Sequence, residues 1–193
     1  MANMETLLRQ SAALHQQLCP RQVLGVRIGM YAAELLDLDL PQSDKRVFTF
    51  VETDGCFADG VAVATGCWFG RRTLRLVDYG KAAATMIDTQ TGKGWRLCPQ
   101  PGARQQATHY VPNAPSRWHA QLEGYQVMPT HALLQAQAIT LTISLDDLLA
   151  RPHVRVRCEQ CDEEITNERE IRRNGHVLCR ACAGDRYYLP PDA

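Results

Sequence analysis

Cys158-Glu159-Gln160-Cys161 is followed, seventeen residues later, by Cys179-Arg180-Ala181-Cys182, a C-x2-C-x17-C-x2-C array. Two cysteines separated by two residues can turn both sulfurs toward one point. Two such knuckles complete a tetrahedron around Zn²⁺ with Zn–S distances of about 2.3 Å. The spacing is that of a ribbon-like zinc finger. No ligand position is left for water, so the chemistry expected is structural. His153 and His176 lie close in sequence and read as surface residues rather than ligands. Asn174-Gly175 reads as the turn of a hairpin leading into the second knuckle.

The other four cysteines are Cys19, Cys56, Cys67 and Cys98. His15 and Cys19 are four apart, and Pro20 makes Cys19 the entry to a helix, where free N–H groups and the macrodipole favour a thiolate. Cys56 follows Glu52-Thr53-Asp54-Gly55 at a strand-to-helix turn, with Asp59 three residues on. Cys67 follows Gly66 at the far end of that helix. Histidine, thiolates and carboxylates gathered in this way suit a transition metal. His15, Cys19, Cys56 and Cys67 are therefore the candidates for a second metal or thiol pocket. The same groups also suit a thiol enzyme, with Cys56 or Cys67 as nucleophile and His15 or Asp54 as proton-transfer partner. Cys98, beside Pro99, reads as a buried apolar residue.

The elements that must position these groups follow from periodicity. Leu7, Leu8, Ser11, Leu14, His15 and Leu18 recur at helical spacing over 4–18. Pro20 opens a second helix over 21–36, with Gly25, Gly29, Ala32 and Ala33 on neighbouring faces where another backbone can come close. Residues 46–53 alternate as a strand. Residues 56–65 form a short buried helix ending at Gly66. Strands follow over 73–79 and 82–89, with a turn over 91–94 and a pairing segment over 95–97. Residues 98–114 carry no periodic signal. Ser116 caps a helix to about residue 126, residues 133–143 form a late strand, and Ser144 caps a short helix over 145–149. Helices first, then strands with short helices between them, predict an α+β fold with a mixed or antiparallel sheet and packed helices. Arg151-Pro152 marks a linker, which divides the chain into a core over 1–150 and a finger over 151–193.

The chain has 21 basic and 21 acidic residues. The balance holds in each part, with 13 of each sign in 1–150 and 8 of each in 151–193. Four thiolates on Zn²⁺ add about two negative charges to the finger. A neutral surface weighs against nonspecific nucleic-acid binding, which needs a basic face, although Arg151, Arg155 and Arg157, then Arg169, Arg172 and Arg173, form local basic clusters. The balance favours a protein as the finger's partner over DNA or RNA. No apolar run approaches the roughly 20 residues that span a bilayer. The first apolar stretch holds Glu5 and Arg9 and lacks a cleavage pattern. A cytoplasmic protein with reduced thiols and no membrane partner is expected.

Four blocks in order over 15–81 resemble the formylmethanofuran dehydrogenase FmdE-like family. His15-Gln16-Gln17-Leu18-Cys19-Pro20 is similar to the family's opening, His-Gly-His-x-Cys-Pro-Gly. Glu52-Thr53-Asp54-Gly55-Cys56-Phe57-Ala58-Asp59 resembles Glu-x-Asp-x-Cys-x-x-Asp. Thr65-Gly66-Cys67-Trp68-Phe69-Gly70 resembles Thr-Gly-Cys-Thr-x-Gly, and Asp78-Tyr79-Gly80-Lys81 matches Asp-x-Gly-Lys. Gln17 stands where the opening has its second histidine, and Gln16 and Arg21 replace glycines. The resemblance implies an α+β core, an intertwined homodimer and a metal- or thiol-centred pocket lined by these cysteines. It also implies a C-terminal zinc finger of the kind some members carry. The combined expectation is a zinc-binding sensor, accessory or regulatory protein whose finger mediates macromolecular contact. A thiol- or metal-dependent enzyme and a nucleic-acid-binding regulator are the alternatives.

Overall fold

A computed structural model describes residues 3–149 and 153–189. Its contacts divide the chain into two compact units, Met1–Leu141 and Thr142–Ala193. The expected linker at Arg151-Pro152 lies outside the described residues.

In the first unit, α1 (Met4–His15) is capped by Asn3, whose side chain accepts from Glu5 N–H. It ends three residues before the periodic pattern does, because Gln16 takes a left-handed conformation at φ 62°. The chain then turns into α2 (Pro20–Leu36), with Cys19 as its N-cap and proline in the first turn, where proline's missing N–H costs nothing. Next come β1 (Val47–Val51), α3 (Cys56–Thr65), β2 (Leu74–Leu76), β3 (Ala84–Asp88) and β4 (Gly94–Pro99). Two helices, α4 (Ala103–Tyr110) and α5 (Arg117–Val127), precede a single turn, α6 (Thr130–Leu133), and β5 (Leu134–Ile139). The helix α4 falls where no element was predicted.

The sheet runs β2-β1-β3-β4-β5; β1 and β2 are parallel and every other pair is antiparallel. This is the mixed sheet expected from the order of elements. One sheet face carries Val47, Val51, Ala84, Met86, Leu97 and Leu134, and it forms one continuous core with the buried sides of the helices. The opposite face carries Glu52 and Arg96, joined by two hydrogen bonds of 2.6 and 2.7 Å. Each member of that pair therefore satisfies the other's charge on a face where Glu52 is buried.

The helix α2 is buried along most of its length, and it packs against α3 more extensively than any other two elements pack. The contacts advance together: Gly60 meets the Gln22 carbonyl, Gly25 meets Phe57 and Val61, and Gly29 meets Ala64 and Thr65. The two helices are thus parallel, with their N-termini at the same end. A buried cation locks the other flank. Arg27 on α2 donates to the carbonyls of Tyr125, Gln126 and Met128 at 2.7–3.2 Å. It closes the C-terminus of α5, where the helix dipole favours positive charge.

In the second unit, α7 (Leu145–Leu148) is capped by Ser144, as predicted. Two hairpins follow: β6 (Arg155–Arg157) with β7 (Glu164–Thr166), and β8 (Ile171–Arg173) with β9 (His176–Leu178). The turn of the second hairpin places Asn174 at φ 51° and Gly175 at φ 83°, the two positive values that such a tight turn needs.

Candidate metal centres

The finger hairpins place their four cysteines at one point. The Sγ atoms of Cys158, Cys161, Cys179 and Cys182 all lie within 4.8 Å of one another, and those of Cys161 and Cys179 are 3.9 Å apart. Four sulfurs at about 2.3 Å from a central zinc are about 3.8 Å apart, so the cage fits that ion. The charge distribution fits it as well. Backbone N–H groups of Cys179, Cys161 and Gln160 bring the Cys158 thiol down to about 6. The neighbouring sulfurs, Cys179 first, push Cys182 up to about 12. The Cys158 thiolate is stable there unaided, while Cys161 and Cys182, both raised, need a cation beside them.

Glu159, inside the first knuckle, ties it to the second hairpin. Its carboxylate accepts from Val177 N–H at 3.0 Å and meets His176 Nδ1 at 2.7 Å, and its own N–H donates to the Val177 carbonyl. His176, paired in this way, stands outside the cage. The cysteine spacing identified the ligands but not this clasp, whose only signal was a carboxylate between the paired cysteines.

The core residues assemble differently. Because α2 and α3 are parallel, Cys19 at the N-cap of one and Cys56 in the first turn of the other share a corner. The two thiols interact, and burial followed by this interaction pushes the Cys56 thiol above its ordinary value. That shift works against Cys56 as a nucleophile near neutral pH. His15, at the end of α1, reaches the same corner, where its Nε2 lies 2.6 Å from Asp59 Oδ2 on the first turn of α3. Gln22 holds the entry to α2: its side chain accepts from Cys19 N–H at 2.8 Å and donates to the Ser11 carbonyl at 2.7 Å. Asp54, the other proton-transfer candidate, is an exposed loop residue two positions before Cys56.

Cys67 does not join this corner. It follows α3 at the opposite end, roughly 15 Å along the helix from Cys56. There it is buried, and its thiol donates to the Val47 carbonyl at 3.3 Å. Burial raises its pKa, while the Thr49, Thr65 and Thr73 hydroxyls draw it partly back. Cys98 is half-buried on β4, not fully buried as expected, and accepts from Gln135 Nε2 at 3.2 Å. Among the described residues, the finger cysteines are the only group of three or more metal-ligating side chains whose donor atoms lie this close together. A pocket holding His15, Cys19, Cys56 and Cys67 at once is not formed within this chain.

Comparisons with known proteins agree with both units. Residues 148–188 match the prokaryotic dksA/traR C4-type zinc finger. A stretch of 94 residues is 35% identical to a probable S-adenosyl-L-methionine-binding protein of Archaeoglobus fulgidus; it covers 47% of this chain and 26% of that protein. The chain thus spans about a quarter of the length of that relative. The fold is that of a crystal structure of a tungsten formylmethanofuran dehydrogenase FmdE-like protein from Syntrophus aciditrophicus. The two share 24% identity with a TM-score of 0.57, over 97% of this chain and 96% of that one. Residues 14–143, which hold the thiol corner and the whole five-stranded sheet, match the FmdE, molybdenum formylmethanofuran dehydrogenase operon family, and the chain belongs to that family.

Proposed function

We propose that this protein is a metal-responsive accessory or regulatory protein. Its core corner takes up a transition metal, and its zinc finger offers a contact surface to a protein partner. The observation that carries the reading is the convergence of His15, Cys19, Cys56 and Asp59 at the N-termini of two parallel helices. Asp59 occupies Nε2 of His15, which leaves Nδ1 as the ring's lone-pair donor, and an oriented histidine of this kind is the usual metal ligand. Cys19 and Cys56 add two soft donors, and the set suits Zn²⁺, Co²⁺ or Ni²⁺ better than Mg²⁺ or Ca²⁺. Three protein ligands leave a position open for a further group.

The finger supports a protein partner by its charge pattern. Arg155 pairs with Glu164, Arg157 with Asp162, Arg172 with Glu170, and Arg180 with Asp185. Arginines neutralised by their neighbours do not make a phosphate-binding stripe. A salt-sensitive mobility shift with mixed-sequence DNA or RNA would replace the protein partner by a nucleic acid.

Metal content of the full chain tests the core. Protein loaded with excess metal and then desalted is expected to carry two ions per chain. Cys19→Ser or His15→Ala should reduce that to one. A wild-type value of one, with no cobalt–thiolate absorption beyond that of the finger, would remove the core site.

A further inference from the structure

The core corner holds two thiols whose placement suits bonding to each other. Near their N-termini α2 and α3 come close at Gln22 and Gly60, where a Cβ added to Gly60 would meet Gln22 Cα at 3.1 Å. Cys19 lies three residues before Gln22, and Cys56 lies four residues before Gly60. About one turn from this close approach of two parallel helices, these residues stand side by side, near enough for their thiols to interact. Both are partly exposed. Nothing lies within 4 Å of the space a side chain would fill at Gly55, the N-cap of α3, so a small molecule can approach Cys56 from that side. The remaining cysteines are placed otherwise. Cys67 is sealed at the far end of α3, Cys98 sits on β4 against Gln135, and the finger cysteines form their own cage.

We propose that Cys19 and Cys56 form a reversible disulfide, which makes the corner an oxidation-sensitive switch. The oxidant is a low-molecular-weight disulfide. The thiolate of one cysteine attacks a sulfur of the oxidant, breaks its S–S bond and releases one small thiolate. The other cysteine, as thiolate, then attacks the resulting mixed disulfide, forms the Cys19–Cys56 bond and releases the second small thiol. The protein gives up two electrons to the oxidant, and the protons of its two thiols go to the released thiolates. The bond staples the N-termini of α2 and α3 and withdraws both sulfurs from any ligand. The inference needs only the two thiols and holds whether or not the core binds a metal.

The test uses the full chain with zinc in its finger, equilibrated in glutathione buffers of rising oxidised-to-reduced ratio and then quenched by alkylation. The oxidised protein is expected to carry two fewer alkyl groups than the reduced protein, with peptide sequencing linking Cys19 to Cys56. The change should reverse on added reductant while the finger zinc stays bound. Cys19→Ser and Cys56→Ser should each abolish the bond, and Cys67→Ser should leave it. The proposal is overturned if Cys19 and Cys56 stay alkylatable at ratios that already oxidise the finger. It is equally overturned if they carry glutathione separately, or if either links to another cysteine. With protein carrying one zinc per chain, that of the finger, no metal shields the two core thiols, so the disulfide and the core metal site stand or fall apart.

Discussion

Asp88, at the end of β3, is almost wholly buried and still carries a charge. Arg46 donates to it twice at 3.2 Å, Gln90 N–H at 3.0 Å and the Thr91 hydroxyl at 2.8 Å. Burial alone would raise its carboxyl, but these donors more than reverse that and hold it below the ordinary aspartate range. A folded value lower than the unfolded one, about 3.9, stabilises the fold fully above about pH 4. The contribution fades as pH falls through the lower, folded value. Asp88→Asn should therefore melt below wild type at neutral pH, by about 2 kcal/mol, and the gap should close toward pH 3. A gap that stays constant down to pH 3 would mean that shape rather than charge matters there. The same scale shows what the sequence could and could not disclose at the site. The finger ligands were legible because their spacing alone dictates the geometry. The pairing of His15 with Asp59 was not, since it joins residues 44 apart and depends on how α1 meets α3. Cys67 read like Cys56 because both flank a helix beside glycine, and the ten-residue length of α3 is what sets them apart.

At the scale of elements, the corner exists because α2 and α3 can touch backbone to backbone. A Cβ at Gly60 would come within 2.4 Å of the Gln22 carbonyl oxygen, and one at Gly25 within 2.3 Å of that of Phe57. Alanine normally stabilises a helix interior by about 1 kcal/mol relative to glycine. Here overpacking should reverse the sign and cost about 1–3 kcal/mol. Gly60→Ala is thus expected to lower the melting temperature and to slow linkage of Cys19 to Cys56 as the helices part. A variant more stable than wild type would show that the two backbones are not in contact. The glycines of α2 were readable as a close-packing face, and α3 was readable to the residue because its apolar run ends at Gly66. The helix α4 escaped because it buries only Ala103 and Ala107 among its eight residues and has no side-chain cap. With so little apolar contrast, its conformation comes from packing on α5 rather than from its own pattern.

At the scale of the molecule, the two units are held by different physics. The first has a continuous apolar core drawn from its helices and the sheet. In the second, Cys158 and Ile165 are the only apolar residues that are fully buried among those described. Two short hairpins with so little interior cannot offset the entropy of ordering their chains. The cysteine cage must therefore supply the stability, as it does in small metal-dependent folds. Surface ion pairs such as Arg155–Glu164 add less than about 1 kcal/mol each and do not change this. Zinc withdrawal by a strong chelator should therefore unfold one unit and spare the other. In hydrogen exchange, the amides of Cys158, Glu159, Asn167 and Val177, bonded in the intact finger, should lose protection together. Those of Thr49 and Glu52, in the core sheet, should keep it. Simultaneous loss in both would mean that the core depends on the finger for its fold. Retained protection in the finger would mean that its hairpins stand without the ion, and the assignment of the four cysteines as its structural centre would fail.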